Sequence, residues 1–178
     1  ATFDPRWLQK AVELADLMVE LFWDPEEGGF FYTEADRPDV LVRTKNPFDN
    51  ATPSGNSVAA LVLLRLAALT EQARYRELGE KTLQLFGDLM SQSPTACCQM
   101  AAALDFYHDK ALEIAVIGAA ADRQPLLAIL HRAFLPNKVV AGWKPSHTES
   151  GSGDTPWDAA QTIELLPLLE GRLEYLSE

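Results

Sequence analysis

The sequence predicts a mainly α-helical fold with an inserted β-hairpin and a small α/β element near the C-terminus. Three observations predict it. Apolar residues recur at helical spacing over most of the stretch from residue 5 to residue 107. Helices with a solvated face alternate with helices that are apolar almost all round, as in hairpins whose inner helices line a barrel or an array. Beyond Asp109 the pattern becomes a strand, a helix and a second strand. With 178 residues, 47% of them hydrophobic, the chain can bury a real core, and a single domain over 1–178 is expected. Within it, helical hairpins take 1–110, the α/β appendage 111–145 and a terminal helical segment 157–178.

The elements follow in order. Asp4 and Pro5 form a helix start, an N-cap followed by a proline whose missing N–H costs nothing there. The helix runs to about Phe22, its polar stripe of Gln9, Lys10, Glu13, Asp16 and Glu20 so narrow that it must pack on more than one neighbour. Glu26-Glu27-Gly28-Gly29 reads as a turn. Phe30-Phe31-Tyr32 and Val40-Leu41-Val42 read as the two arms of the β-hairpin, with Phe30 and Tyr32 on one side and Phe31 on the other. A loop over 43–53 leads to a helix capped at Ser54, apolar on nearly every side to about Leu69 and therefore surrounded by protein. An amphipathic helix over about 72–90 and another from Ser93-Pro94 to about Tyr107 complete the helical part. Four helices are too few to close a barrel.

Leu112 to Ile117, a helix over about 122–133 and Val139 to Ala141 read as a βαβ crossover. Gly118, before Ala119-Ala120-Ala121, is a weak phosphate-loop signal, without the repeated glycines that let backbone wrap a phosphate. A polar loop follows over 146–156. Pro167 interrupts the last apolar run, 163–169, so a helix there must kink or restart.

A net charge of −11, with no cluster of Lys and Arg, argues against a nucleic-acid partner. The longest apolar run, Val58 to Leu69, is broken by Arg65 and is shorter than the roughly 20 residues of a membrane span, so no membrane partner is expected. No signal peptide opens the sequence. Cys97 and Cys98 are adjacent, lack metal-ligand spacing and read as two buried, reduced thiols, which points to a cytoplasmic setting without a metal or a cofactor. Ala1 stands almost directly on a helix start, as in a segment of a longer polypeptide.

The densest group of chemically able residues is Arg43, Lys45, Asp49, Asn50, Thr52, Ser54, Asn56 and Ser57. Cations, a carboxylate and amides are what a polyhydroxylated ligand requires, because each hydroxyl both donates and accepts. Asp49 is the candidate catalytic acid or base, and Arg43, Lys45, Asn50, Ser54 and Asn56 are the candidate substrate-binding groups. The same residue types also cap helices and close turns. Asn56 and Ser57 open an otherwise apolar helix, so they either lace the 43–53 loop onto it or face a cavity. Glu26, Glu27, His147, Glu149 and Asp154 are further acid–base candidates, with a pair of carboxylates able to cleave a glycosidic bond at the right separation. His108 and His131 read as packed or solvated histidines.

The string Phe48-Asp49-Asn50-Ala51-Thr52-Pro53-Ser54-Gly55-Asn56-Ser57-Val58-Ala59-Ala60, with Gly28-Gly29-Phe30-Phe31 before it and Leu63-Leu64-Arg65-Leu66 after it, resembles the C-terminal region of the YyaL and spermatogenesis-associated protein 20 family. The resemblance extends through Ala103-Leu104-Asp105-Phe106 and Pro167-Leu168-Leu169-Glu170-Gly171-Arg172. It implies an N-terminal thioredoxin-like domain followed by a six-hairpin glycosidase-like (α/α)6 toroid similar to the N-acylglucosamine 2-epimerases, of which this chain would be a fragment. Arg43, Lys45, Asp49, Ser54, Gly55 and Asn56 would then sit at the mouth of the barrel. Two readings follow. One is a carbohydrate-active or sugar-binding barrel region, glycosidase-like or sugar-epimerase-like. The other is a non-catalytic scaffold or docking module acting with the thioredoxin-like domain. An open barrel would also expose buried helix sides, so the chain is expected to associate with itself or with the preceding part of the parent protein.

Overall fold

The computed structural model describes residues 2–35, 37–143 and 159–171. Its helices are α1 (Pro5–Phe22), α2 (Gly55–Thr70), α3 (Ala73–Leu85), α4 (Gly87–Gln92), α5 (Cys98–His108), α6 (Ala120–Arg132) and α7 (Ala159–Leu165). Single 3-10 turns lie at Pro94–Ala96 and Pro167–Leu169. The strands β1 (Leu112–Ile117) and β2 (Lys138–Trp143) form a two-stranded parallel sheet whose register runs from Leu112 opposite Lys138 to Ile117 opposite Trp143. The protein is mainly helical with one small parallel sheet.

The helix starts follow from local chemistry. The Asp4 carboxylate accepts from Arg6 N at 3.0 Å, and Pro5 follows it. Ser54 Oγ accepts from Ser57 N at 3.0 Å to cap α2. At its other end α2 stops without a glycine, since Glu71 takes the left-handed conformation at φ 54°.

α2 is the central element. Ala60 and Leu64 belong to a core shared with α3, α4 and α5 through Leu83, Phe86, Met90, Met100 and Phe106, and with β2 through Val139 and Ala141. Ala59, Leu63 and Leu66 belong to a second core with Ala15 of α1, Phe30 and Tyr75. Gly79 of α3 lies so close to α2 that a Cβ there would stand 3.0 Å from Leu64. The apolar circumference read in the sequence is the reason: only a helix with no polar side can serve two cores.

Four expectations are corrected. The β-hairpin does not form, and the reason lies in the turn before it. Gly28 and Gly29 take positive φ, 83° and 74°, and fold the chain back so that Phe31 N donates to Phe22 O at 2.8 Å. Phe30 thus forms an isolated antiparallel bridge with Trp23 at the end of α1, and Leu41 is wholly exposed. Nor does strict alternation hold in the aromatic run, because the chain bends after Phe31: Phe30 is buried and Tyr32 is exposed. The helix expected over 72–90 breaks at Phe86, whose φ −103° and ψ 10° separate α3 from α4. The helix expected from Ser93 starts as a 3-10 turn and becomes α-helical at Cys98. The restart at Pro167 is present, and the polar loop 146–156 lies outside the described residues.

Candidate functional site

The structure gathers the residues of the 43–57 string around the N-terminus of α2. Asn56, almost fully buried, presents its side-chain amide edge-on to the backbone of Phe30. Its Oδ1 accepts from Phe30 N at 2.7 Å, and its Nδ2 donates to Phe30 O at 2.9 Å and to Asn46 O at 3.2 Å. One side chain therefore stands where a second strand would have paired with Phe30. The close approach requires Gly29, where a Cβ would lie 3.3 Å from Asn56 Oδ1 and 2.8 Å from the Leu85 side chain.

Asp49 uses both oxygens on backbone donors. Oδ1 accepts from Ser54 N and Oδ2 from Gln99 N, each at 2.8 Å, while Asp49 N donates to Ala96 O at 2.8 Å. Gln99 lies in the first turn of α5, so the carboxylate compensates that helix's N-terminal dipole while fixing the residue that caps α2. Ser54 Oγ and Ser57 Oγ are 2.7 Å apart, both buried. Asn50 and Thr52 are exposed and joined by the bond from Asn50 N to Thr52 O.

Arg43 and Lys45 flank the Phe31 ring. The Arg43 guanidinium lies 3.9 Å from the ring centroid and donates to Thr33 O from Nε and Nη2 at 3.0 and 2.8 Å. Nη2 also reaches Leu21 O at 3.4 Å near the end of α1, where a cation is favoured. Lys45 Nζ is 2.6 Å from Asp24 Oδ2 and 3.3 Å from Glu27 Oε2, with Lys45 and Asp24 both nearly buried. The Lys45 bond holds the Asp24 carboxyl below its ordinary range against the opposing effect of burial, helped by the N–H groups of Glu26 and Glu27.

The six predicted site residues are thus brought together, and five of them are bonded into the fold through side chains. Of the other acid–base candidates, Glu26 is exposed and Glu27 pairs with Lys45, while His147, Glu149 and Asp154 lie outside the described residues. His131 is exposed in the last turn of α6. Of the two thiols expected to be buried, Cys97 is, but Cys98 is exposed because it opens α5 on the helix's outer side. Sequence reasoning missed Asp24, Lys45's main partner, although an Asp two residues before Glu-Glu-Gly-Gly is a turn signal. It also missed a cleft of about 1030 Å³ between the α2–α3 turn and the α5–β1 connection, lined in part by Glu71, Arg76, Tyr107, His108, Asp109 and Glu113. There the Arg76 guanidinium stacks 5.0 Å from the Tyr107 ring. Tyr107 is held above its ordinary pKa, first by the neighbouring Glu80 carboxylate and then by burial. Among the described residues no His, Cys, Asp and Glu side chains gather into a metal-binding group. No described helix is long and apolar enough to cross a membrane.

Comparison with known proteins finds similarity over most of the chain. The chain is 36% identical over 143 residues to spermatogenesis-associated protein 20 of Rattus norvegicus and 34% identical over the same length to that of Homo sapiens. It is a relative of spermatogenesis-associated protein 20. The match takes in 79% of this chain but 18% of each of those relatives, so the chain corresponds to about a fifth of spermatogenesis-associated protein 20. An uncharacterized protein of Caenorhabditis elegans is 30% identical over 151 residues, with 20% of its length covered. No family model matches the chain.

Two predictions follow from this geometry. Replacing Asn56 by Ala strands the N–H and C=O of Phe30 in the core, and we expect a loss of about 2–3 kcal/mol in urea unfolding, with Asp49→Ala costing a similar amount. Asp24 has a lowered pKa in the folded state, so its contribution is fully present above the unfolded value of about 3.9 and is lost as pH falls through the lower folded value. Asp24→Asn should therefore destabilise the protein at neutral pH and flatten the acid limb of a stability–pH curve measured by thermal melting.

Proposed function

We propose that this chain is a non-catalytic helical scaffold segment within a larger protein, with the 43–57 string acting as its internal latch. The observation that carries the reading is the commitment of Asp49: its two carboxylate oxygens hold backbone N–H groups at the starts of two different helices, the work of a structural tie between them. Arg43 and Lys45 are likewise engaged, with backbone carbonyls and with Asp24.

The scaffold reading also accounts for an open apolar side on α1 and α2. Trp7, Leu14 and Leu17 form a second stripe on α1, 69%, 56% and 48% exposed, beside the face that packs inward. Val58 and Val62 are part-exposed on α2, and Leu69 shares with Trp7 and Leu8 a cleft of about 400 Å³. Trp7 starts α1 and Leu69 ends α2, so the two helices run antiparallel and turn these stripes to the same side. We assign this side to a neighbouring helical hairpin of the longer protein, as in the (α/α) toroid that the sequence resembles. The relatives' additional length supplies the material for it.

The carbohydrate-active reading is the alternative, with Asp49 as acid or base and Arg43, Lys45, Asn50, Ser54 and Asn56 holding the sugar. It would require the remaining lone pairs of the Asp49 oxygens to face the substrate while both backbone donors stay bound. Thermal-shift and calorimetric titrations against neutral and anionic mono- and disaccharides distinguish the two. The scaffold reading expects no shift and no heat. A saturable shift with a sugar, abolished in Asp49→Asn while that variant stays folded, would overturn it.

A further inference from the structure

The small α/β element holds a buried cation that its own surroundings do not satisfy. Arg123 of α6 is 9% exposed, and its Nε is buried without a hydrogen-bond partner. Among the described residues no carboxylate stands within ion-pair distance of it. The guanidinium lies 5.5 Å from the Phe3 ring centroid, a contact that supplies no acceptor oxygen. A buried charge without a counter-charge is costly, so such a site is complete only with an anion in it.

The packing around Arg123 locates that anion. The Phe3 ring lies on Gly142, near the carboxyl end of β2, and Gly142 stands opposite Val116 of β1. Arg123 is the fourth residue of α6, and a helical side chain leans back toward the helix start. The guanidinium is therefore held beside the first turn of α6, at the carboxyl ends of both strands. That turn has no side-chain cap, since Ala119 occupies the N-cap, and none of the described hydrogen bonds takes the N–H groups of Ala120 and Ala121. Gly118, at φ 137°, makes the bend from β1 into it. A helix start at the carboxyl ends of parallel strands is where open α/β folds receive anions.

We propose that the β1–α6 turn is a phosphate-binding site, in which the Arg123 guanidinium and the N–H groups of Ala120 and Ala121 hold the phosphate group of a small ligand. The supply of donors selects phosphate over a carboxylate of the chain itself. A guanidinium offers five N–H groups in a planar fork, and the helix start adds its own. A carboxylate meets them with two oxygens in one plane, a phosphate monoester with three arranged tetrahedrally. The exposed Asp122 carboxylate stands in the same turn and weakens the site without filling it, since adjacent residues of a helix do not face one another. None of the residues of the 43–57 string takes part, so the site stands independently of the scaffold reading.

Isothermal titration calorimetry on the 178-residue chain in phosphate-free buffer tests it, with inorganic phosphate and glycerol phosphate as separate probes and sodium chloride at matched ionic strength as the control. We expect saturable binding of at least one probe, accompanied by shifts of the Ala120 and Ala121 amide resonances. Inorganic phosphate alone would point to the free ion, and the ester alone to a phosphorylated metabolite. Arg123→Met should weaken binding at least about tenfold, because an apolar chain cannot replace the fork. Asp122→Asn should tighten it and serves if the methionine variant does not fold. No saturable binding of either probe would overturn the proposal, and an Arg123→Met variant that then melts well below the unaltered chain would name the replacement, a carboxylate of the chain paired with Arg123. Binding that is the same in the unaltered chain and both variants would overturn it as well, as the mark of an adventitious ion only.

Discussion

The fold turns on one side-chain amide. Asn56 sits at the start of a helix that has no polar side, and its three hydrogen bonds satisfy both the buried amide and the backbone of Phe30. Each is worth only about 1 kcal/mol net, yet a buried amide or peptide group left without a partner costs about 1–3 kcal/mol. The arrangement is consequently closer to a requirement than to an increment. Without it α2 could not be buried at its N-terminus, and the turn that carries Phe30 into the second core would have no anchor.

The rest of the string extends the same logic outward. Asp49 joins the start of α2 to the start of α5, Arg43 joins the loop to the end of α1, and the Lys45–Asp24 pair closes the turn between them. A nearly buried ion pair of this kind is held by the hydrogen bonds around it, here the Glu26 N–H on Asp24 Oδ1 at 2.9 Å. Residue types that suit sugar recognition thus serve to tie together three helix ends. Recognition and capping draw on the same donors and acceptors, which is why composition alone left both readings open.

Much of the architecture was legible because it rests on periodicity and caps. The Asp4 and Ser54 caps, the all-round apolar α2, the parallel βαβ and the restart at Pro167 each follow from a local rule. The missing hairpin was not legible. Phe30-Phe31-Tyr32 has the composition of a strand, but its partner is an amide 26 residues away, and no pattern within a window reveals that. The break at Phe86 was hidden for a related reason, since Gly87 in an amphipathic run is tolerated or disruptive according to what packs beside it. At the site, sequence named the right cluster; which oxygen each donor reaches is decided by tertiary packing.

Native-state hydrogen exchange tests the central claim most directly, because a latch and a ligand-ready loop differ in how they open. If the string is a latch, the amides of Phe30, Ser54, Ser57 and Gln99 should exchange only with global unfolding, at the same free energy as Leu63 and Leu64 in the middle of α2. If those four amides exchange by local opening several kcal/mol below that level while α2 stays protected, the string is a mobile loop and the latch does not exist.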